Sequence, residues 1–256
     1  MELDARAAFY YRVANAPVLA YPFPHFYVES VFPDGFYREL QAALPPLDAY
    51  MRIADSGTVL PDTFPQRFIL DTSTLATSDP PRPQAPFWQT MVEWLEGGRF
   101  ARLLLDKFEA AIAARFGAGN DFSIDQDTRL IRDFTNYSIG PHTDSPRKLI
   151  SLLFYLPRDD SMAHLGTSIF EHVDPGFECE GTKHHPFTNF RKVFTAPFRP
   201  NSLFAFCKTD AAFHGVAPIA DANIERNMML YNIYLNKVER MAAPPRAGFR
   251  WPWSRT

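Results

Sequence analysis

His142 and Asp144 stand two positions apart at the end of the segment Asn136-Tyr137-Ser138-Ile139-Gly140-Pro141-His142-Thr143-Asp144, which leads into an apolar run, Leu149–Leu156. On extended backbone, side chains at i and i+2 project to one side, so both groups face the same way. A third group of this kind, His214, comes far downstream. It follows the turn Pro200-Asn201 and the apolar stretch Ser202–Phe206, and precedes Gly215-Val216. For it to join the first two, strands from distant parts of the chain must lie side by side. Two imidazoles and one carboxylate can hold Fe(II) on one face of its octahedron and leave the opposite positions open. Singly these residues mean little, because HxD triplets arise by chance and many histidines are simply hydrogen-bonded in cores. Their weight lies in the combination, which Arg226 extends on a further alternating stretch into Met228 and Leu230.

The surrounding pattern is β-rich after Gly117. Strands are expected at Thr128–Tyr137, Lys148–Leu156, Thr167–Glu171, Lys192–Ala196, Ser202–Phe206, Ala212–Val216 and Met228–Leu235. Ahead of them, Phe23–Val28 reads as a short strand and Asp34 as the cap of a helix reaching Leu44. Helical periodicity returns over Phe87–Leu95 and Phe100–Phe116, with Met91, Trp94 and Leu95 as one buried stripe. Short strands after a helical layer predict a mainly β chain with flanking helices (α+β), a distorted double-stranded β-helix or jelly roll. The expected organisation is a single domain over 1–256: a helical support layer with lid elements at 1–120, the jelly-roll core at 121–240, and a strap at 241–256. Residues Pro45–Pro86 read as a long irregular loop, with Met51–Thr74 a lid. Pro157–Gly166 and Val173–Phe190 are longer than hairpins need.

Composition narrows the function classes. At 256 residues the chain suits one large domain, and 24 Phe with 10 Tyr suit a β-rich core or a ring-walled pocket. A net charge of −3 gives no basic surface for nucleic acid. No apolar run approaches the ~18 residues of a membrane span. Cys179 and Cys207 form neither a CxxC pair nor a disulfide framework, and the N-terminal residues lack a signal-peptide pattern. The expectation is a reduced, cytoplasmic protein acting on a small molecule, with neither nucleic acid nor membrane as partner.

Together, Tyr137, Gly140, His142, Asp144, Ser202, His214-Gly215-Val216 and Arg226 resemble the 2-oxoglutarate- and Fe(II)-dependent oxygenase superfamily, particularly its prolyl-hydroxylase-like branch. The match runs from Thr128 to Asn236. The resemblance implies that His142, Asp144 and His214 are iron ligands, with no catalytic residue beyond them. It implies that Arg226 pairs with the distal carboxylate of 2-oxoglutarate, a task suited to its planar fork, and that Tyr137 is a second donor to it. It also implies consumption of O2, hydroxylation of an unactivated C–H bond, and release of succinate and CO2. Halogenases of this kind lack the carboxylate ligand, so Asp144 favours hydroxylation or desaturation.

One departure is Met228, where relatives with an arginine often carry a hydroxyl two positions on; Tyr137, Ser151 or water would complete the clamp. The expected substrate is a small carboxylated metabolite or amino acid, with Arg147 and Lys148 as candidate anion contacts and Asn136 and Arg132 as candidate pocket residues. His184-His185 reads as a loop pair that can reach substrate, while His25, His164 and His172 lack suitable neighbours. The alternatives are a peptidyl or protein hydroxylase, a non-catalytic cupin-like metal-binding module, and a metal-dependent hydrolase or isomerase.

Overall fold

The computed structural model describes residues 4–60, 63–77, 82–117 and 121–239. Helices α1 (Ala5–Asn15), α2 (Asp34–Ala42), α3 (Thr72–Ala76), α4 (Ala85–Glu96), α5 (Arg99–Lys107) and α6 (Glu109–Phe116) belong to the first half. The strands are β1 (His25–Val28), β2 (Met51–Arg52), β3 (Arg67–Asp71), β4 (Asp121–Phe134), β5 (Ile139–His142) and β6 (Lys148–Tyr155), followed by β7 (Ser168–His172), β8 (Phe190–Thr195), β9 (Ser202–Cys207), β10 (His214–Val216) and β11 (Glu225–Glu239). They form two antiparallel sheets, a larger one ordered β1-β9-β6-β11-β4-β3-β2 and a smaller one ordered β5-β10-β7-β8. This is the jelly-roll layout expected from the strand pattern.

Side-chain alternation on the central strands makes two cores from one sheet. On β9, Leu203, Ala205 and Cys207 join the cluster shared with the helices, while Phe204 and Phe206 turn inward. On β11, Met229, Tyr231 and Ile233 face the helices and Met228 and Leu230 face the interior. On β6, Leu152 and Phe154 face outward and Leu153 and Tyr155 inward. A period of two on strands covered on both faces accounts for their unbroken hydrophobicity in sequence.

Several segments differ from the sequence expectation. Asp34 is the first residue of α2, not its cap; Pro33 occupies the cap position with no side-chain hydrogen bond. The helix expected over Phe100–Phe116 breaks at Phe108 (φ −103°, ψ 15°), whose ring is buried and stacked on Phe26, so its seat in the core overrides helical periodicity. The stretch Pro45–Pro86 contains β2, β3 and α3, and β3 pairs along β4 as part of the larger sheet. Three strands of that sheet therefore precede residue 121. The strap expected at 241–256 lies outside the described residues. Among the described residues no helix is long and apolar enough to cross a membrane.

Phe154 pins the helical layer to the sheet, its ring 6.0 Å from that of Phe9 on α1 and 5.7 Å from that of Phe32. Phe154→Ala should cost about 3–5 kcal/mol, read as a lowered denaturant midpoint with an unchanged slope in equilibrium unfolding.

Candidate metal centre

The register between β5 and β10 places His142 directly opposite His214. Directly opposed strand residues have neighbouring side chains, and the two imidazole centroids lie 4.3 Å apart. Gly215 permits this approach, since a Cβ there would stand 2.6 Å from the Ile139 carbonyl oxygen. Asp144 follows in the turn out of β5. One ligand atom from each of His142, Asp144 and His214 can be chosen so that all lie within 4.8 Å of one another.

Each imidazole is set for ligation. His142 Nδ1 is 2.9 Å from the Gly140 carbonyl oxygen and His214 Nδ1 is 3.0 Å from that of Ala212. A carbonyl only accepts, so both Nδ1 atoms carry the proton and both Nε2 lone pairs are available. Ser151 donates to Asp144 Oδ2 at 2.7 Å, and Lys148 Nζ donates to Oδ1 at 3.0 Å. Oδ1 is also the oxygen 4.0 Å from His214 Nε2.

Burial lowers the pKa of both histidines, that of His142 far below the ordinary imidazole value with His214 adding to the effect. Burial pushes Asp144 up, but the Lys148 ammonium foremost, with the Ser151 hydrogen bond, holds the carboxyl below its usual range. The trio thus stands as two neutral imidazoles and a carboxylate, the forms that bind metal.

A cavity of about 100 Å³ opens from these ligands, walled by Arg67, Tyr137, Ile139, Ser151, Met228 and Leu230 among others. A larger depression of about 520 Å³ lies between Pro22, Phe170, His172 and Phe177 and contains none of the trio. The donor chemistry selects the smaller one.

Beside the Arg67 and Tyr137 wall lies an ionic row across three adjacent strands. Asp133 of β4 is the direct register partner of Arg67 on β3 and of Arg226 on β11. Arg67 binds it through Nε at 2.7 Å and Nη2 at 2.9 Å, and Arg226 through Nη1 at 2.7 Å. Asp133 and Arg226 have no solvent exposure. Two guanidiniums on one carboxylate leave one positive charge in excess. Arg226 Nε and Nη2 and the buried Tyr137 hydroxyl have no hydrogen-bond partner. Burial raises the Tyr137 pKa, so the hydroxyl keeps its proton, and burial lowers that of Arg226 against the pull of Asp133. Three orphaned donors beside an excess positive charge fit a ligand that is anionic and only accepts, such as a carboxylate.

The other candidates fall into place around this. Arg226 is fully buried on β11, and it is Arg67 and Tyr137, not Arg226, that line the cavity. Ser151 serves Asp144 and does not complete an anion clamp. Asn136 and Arg132 do not face the cavity. Asn136 is an exposed turn residue at φ 70°. Arg132 lies on the opposite side of β4 from Asp133, paired with Glu225 and over the Tyr50 ring. Arg147 is exposed beside Asp125, whereas Lys148 lines the cavity.

The Val173–Phe190 segment runs along the ligand strand. Thr182 N–H donates to the Thr143 carbonyl and His185 N–H to that of Pro141. Gly181 (φ 139°) passes so close that a Cβ would meet the Asp144 carbonyl oxygen at 2.2 Å. This seats the exposed His184 ring 4.8 Å from that of His142 and 5.5 Å from that of Phe64. His25 bonds to the Phe23 carbonyl, His164 to Asp221, and His172 stacks on Phe177. Sequence reasoning missed Arg67 and Asp133. Their only signal was opposite charge at positions that become register partners.

No protein-family model and no curated protein matches the sequence. Solved structures of similar fold include a prolyl-4-hydroxylase of Pseudomonas putida (13% identity, 90% of this chain and 99% of that one, TM-score 0.49). Another is HygX of Streptomyces hygroscopicus with nickel and 2-oxoglutarate bound (13%, 82% of each chain, TM-score 0.43). A third is a Trichoplax adhaerens prolyl hydroxylase in complex with a peptide fragment of the hypoxia inducible factor oxygen degradation domain (12%, 90% and 88%, TM-score 0.46). These likenesses are distant and concern the fold alone.

The depressed imidazole pKa values have a consequence for acid stability. Near the ordinary imidazole value of about 6.5 the unfolded chain binds more protons at His142 and His214 than the folded one. Folding carries no penalty from them above that pH, and a growing one as pH falls toward their lower folded values. Asp144 adds a loss at more acid pH, as its stabilising charge is titrated. The metal-free protein should show a thermal midpoint that declines below about pH 7, and replacing both histidines by glutamine should flatten the upper part of that decline in circular-dichroism melts.

Proposed function

We propose that this chain is a 2-oxoglutarate-dependent Fe(II) dioxygenase that hydroxylates an unactivated C–H bond of a small carboxylated metabolite or amino acid, releasing succinate and CO2. The observation that carries this reading is a cavity that holds the three-ligand face and is walled by Arg67 and Tyr137, members of a buried cluster with Arg226 and Asp133 that carries excess positive charge and unpartnered donors. A metal-dependent hydrolase or a cupin-like binding module has use for the first feature and none for the second.

His142 and His214 offer Nε2 and Asp144 offers Oδ1 to Fe(II), while Ser151 occupies Oδ2 and keeps the carboxylate in one orientation. Bound there, iron with 2-oxoglutarate and O2 supplies the oxidising chemistry. Arg226 and Tyr137 receive the distal carboxylate of the cosubstrate. Leu153, Phe206, Met228 and Leu230 wall the space with apolar surface, which keeps the charge-assisted bonds strong by excluding water. With Oδ1 committed to the metal, the Lys148 ammonium at the wall can turn to a substrate carboxylate, and this supports a small anionic substrate.

Adding 2-oxoglutarate anaerobically to the Fe(II) protein should give a visible metal-to-ligand charge-transfer band. His214→Ala and Asp144→Ala should abolish it. Arg226→Ala should retain it but require roughly 10–100-fold more 2-oxoglutarate, the worth of a hydrogen bond to a charged group. A folded, iron-loaded wild-type protein without the band would reject the reading.

A further inference from the structure

The excess charge of the ionic row points to a role for Arg67 that the oxygenase pattern does not contain. Asp133 already has a full partner in Arg226, its opposite residue on β11. A second arginine is not needed to neutralise it, and burying one more cation is costly unless another anion arrives. Arg67 comes from β3, a strand laid on the outer side of β4 within a stretch that the sequence presents as a loop. Yet it is Arg67 that walls the cavity containing the metal ligands. Its side chain is 16% exposed, whereas that of Asp133 is wholly buried. Nε and Nη2 are committed to Asp133, so Nη1 is the donor left over. The guanidinium lies over the Tyr137 ring with its carbon 4.2 Å from the centroid. That contact fixes the orientation of both groups beside the unpartnered Tyr137 hydroxyl.

Building on the oxygenase reading, we propose that Arg67 is a second cosubstrate-binding residue, donating through Nη1 to the distal carboxylate of 2-oxoglutarate while Nε and Nη2 remain on Asp133. The carboxylate then completes a buried set of two cations and two anions, with Arg226 and Tyr137 as its other donors. Preference for a five-carbon dicarboxylic oxo acid over a monocarboxylic one is thereby set jointly from β3 and β11.

The test compares 2-oxoglutarate with pyruvate, which keeps the metal-chelating oxo acid and lacks the distal carboxylate. Both are titrated anaerobically into the Fe(II) forms of wild type, Arg67→Met and Arg67→Lys, and dissociation constants are read from the optical band. Arg67→Met should weaken 2-oxoglutarate roughly 10–100-fold and leave pyruvate within about twofold. Arg67→Lys, which keeps the charge but not the fork, should weaken 2-oxoglutarate by an intermediate factor, again without affecting pyruvate. Equal weakening of both ligands would show that Arg67 only supports the fold of the pocket, and no change in either would show that it does not touch the ligand. Both results overturn the proposal while leaving the oxygenase reading intact. Absence of any band in wild type would overturn the two together.

Discussion

Asp133 has no access to solvent, yet three strands meet at its carboxylate: β4 supplies it, β3 brings Arg67 and β11 brings Arg226, each directly opposite. Removing one member of a buried ion pair costs about 3–5 kcal/mol because the partner is left charged and dry. The row therefore fixes the register of β3 on β4 and of β4 on β11. That register aims Met228 and Leu230 into the cavity and starts the turn that delivers Tyr137. The arginines that fix the register are thus ones that the proposed cosubstrate site would use. Each arginine ties a different strand to β4, and together they leave one positive charge in excess beside the cavity.

The metal face depends on a comparable constraint in the smaller sheet. His142 and His214 meet because β5 and β10 pair antiparallel with those two residues opposed, and a slip of one residue would turn one imidazole to the other face. The same parity rule acts on β6. Ser151 reaches Asp144 from the inner face while Leu152 and Phe154 of the same strand pack on the helical layer. The hydrophobic core that stabilises the sheet is thus what keeps the polar residues of its inner face in place.

Much of this was legible in the sequence. The strands of the second half were visible because half-buried and fully buried strands leave runs of aromatic and branched residues bounded by turns. The three candidate ligands were visible because an HxD pair, a distant His-Gly-Val and a following arginine occur together in a β-rich setting. The first half was harder to read. β3 is five residues long and flanked by polar segments, so nothing local separates it from a loop. The break at Phe108 answers to the Phe26 ring, distant in sequence. Arg132 was misplaced because the face of β4 that turns inward is set by Asp133, whose partners lie on other strands, and Asn136 because β4 ends at Phe134 and the chain turns there. Pairing that exists only in three dimensions leaves no periodicity to find.

The most direct measurement is a structure of the protein crystallised anaerobically with Mn(II), as a redox-quiet stand-in for iron, and 2-oxoglutarate. Anomalous density should then lie among His142 Nε2, Asp144 and His214 Nε2, with the distal carboxylate of 2-oxoglutarate hydrogen-bonded among Arg67, Tyr137 and Arg226. A metal held by other residues, or a distal carboxylate lying away from that cluster, would contradict the proposed site.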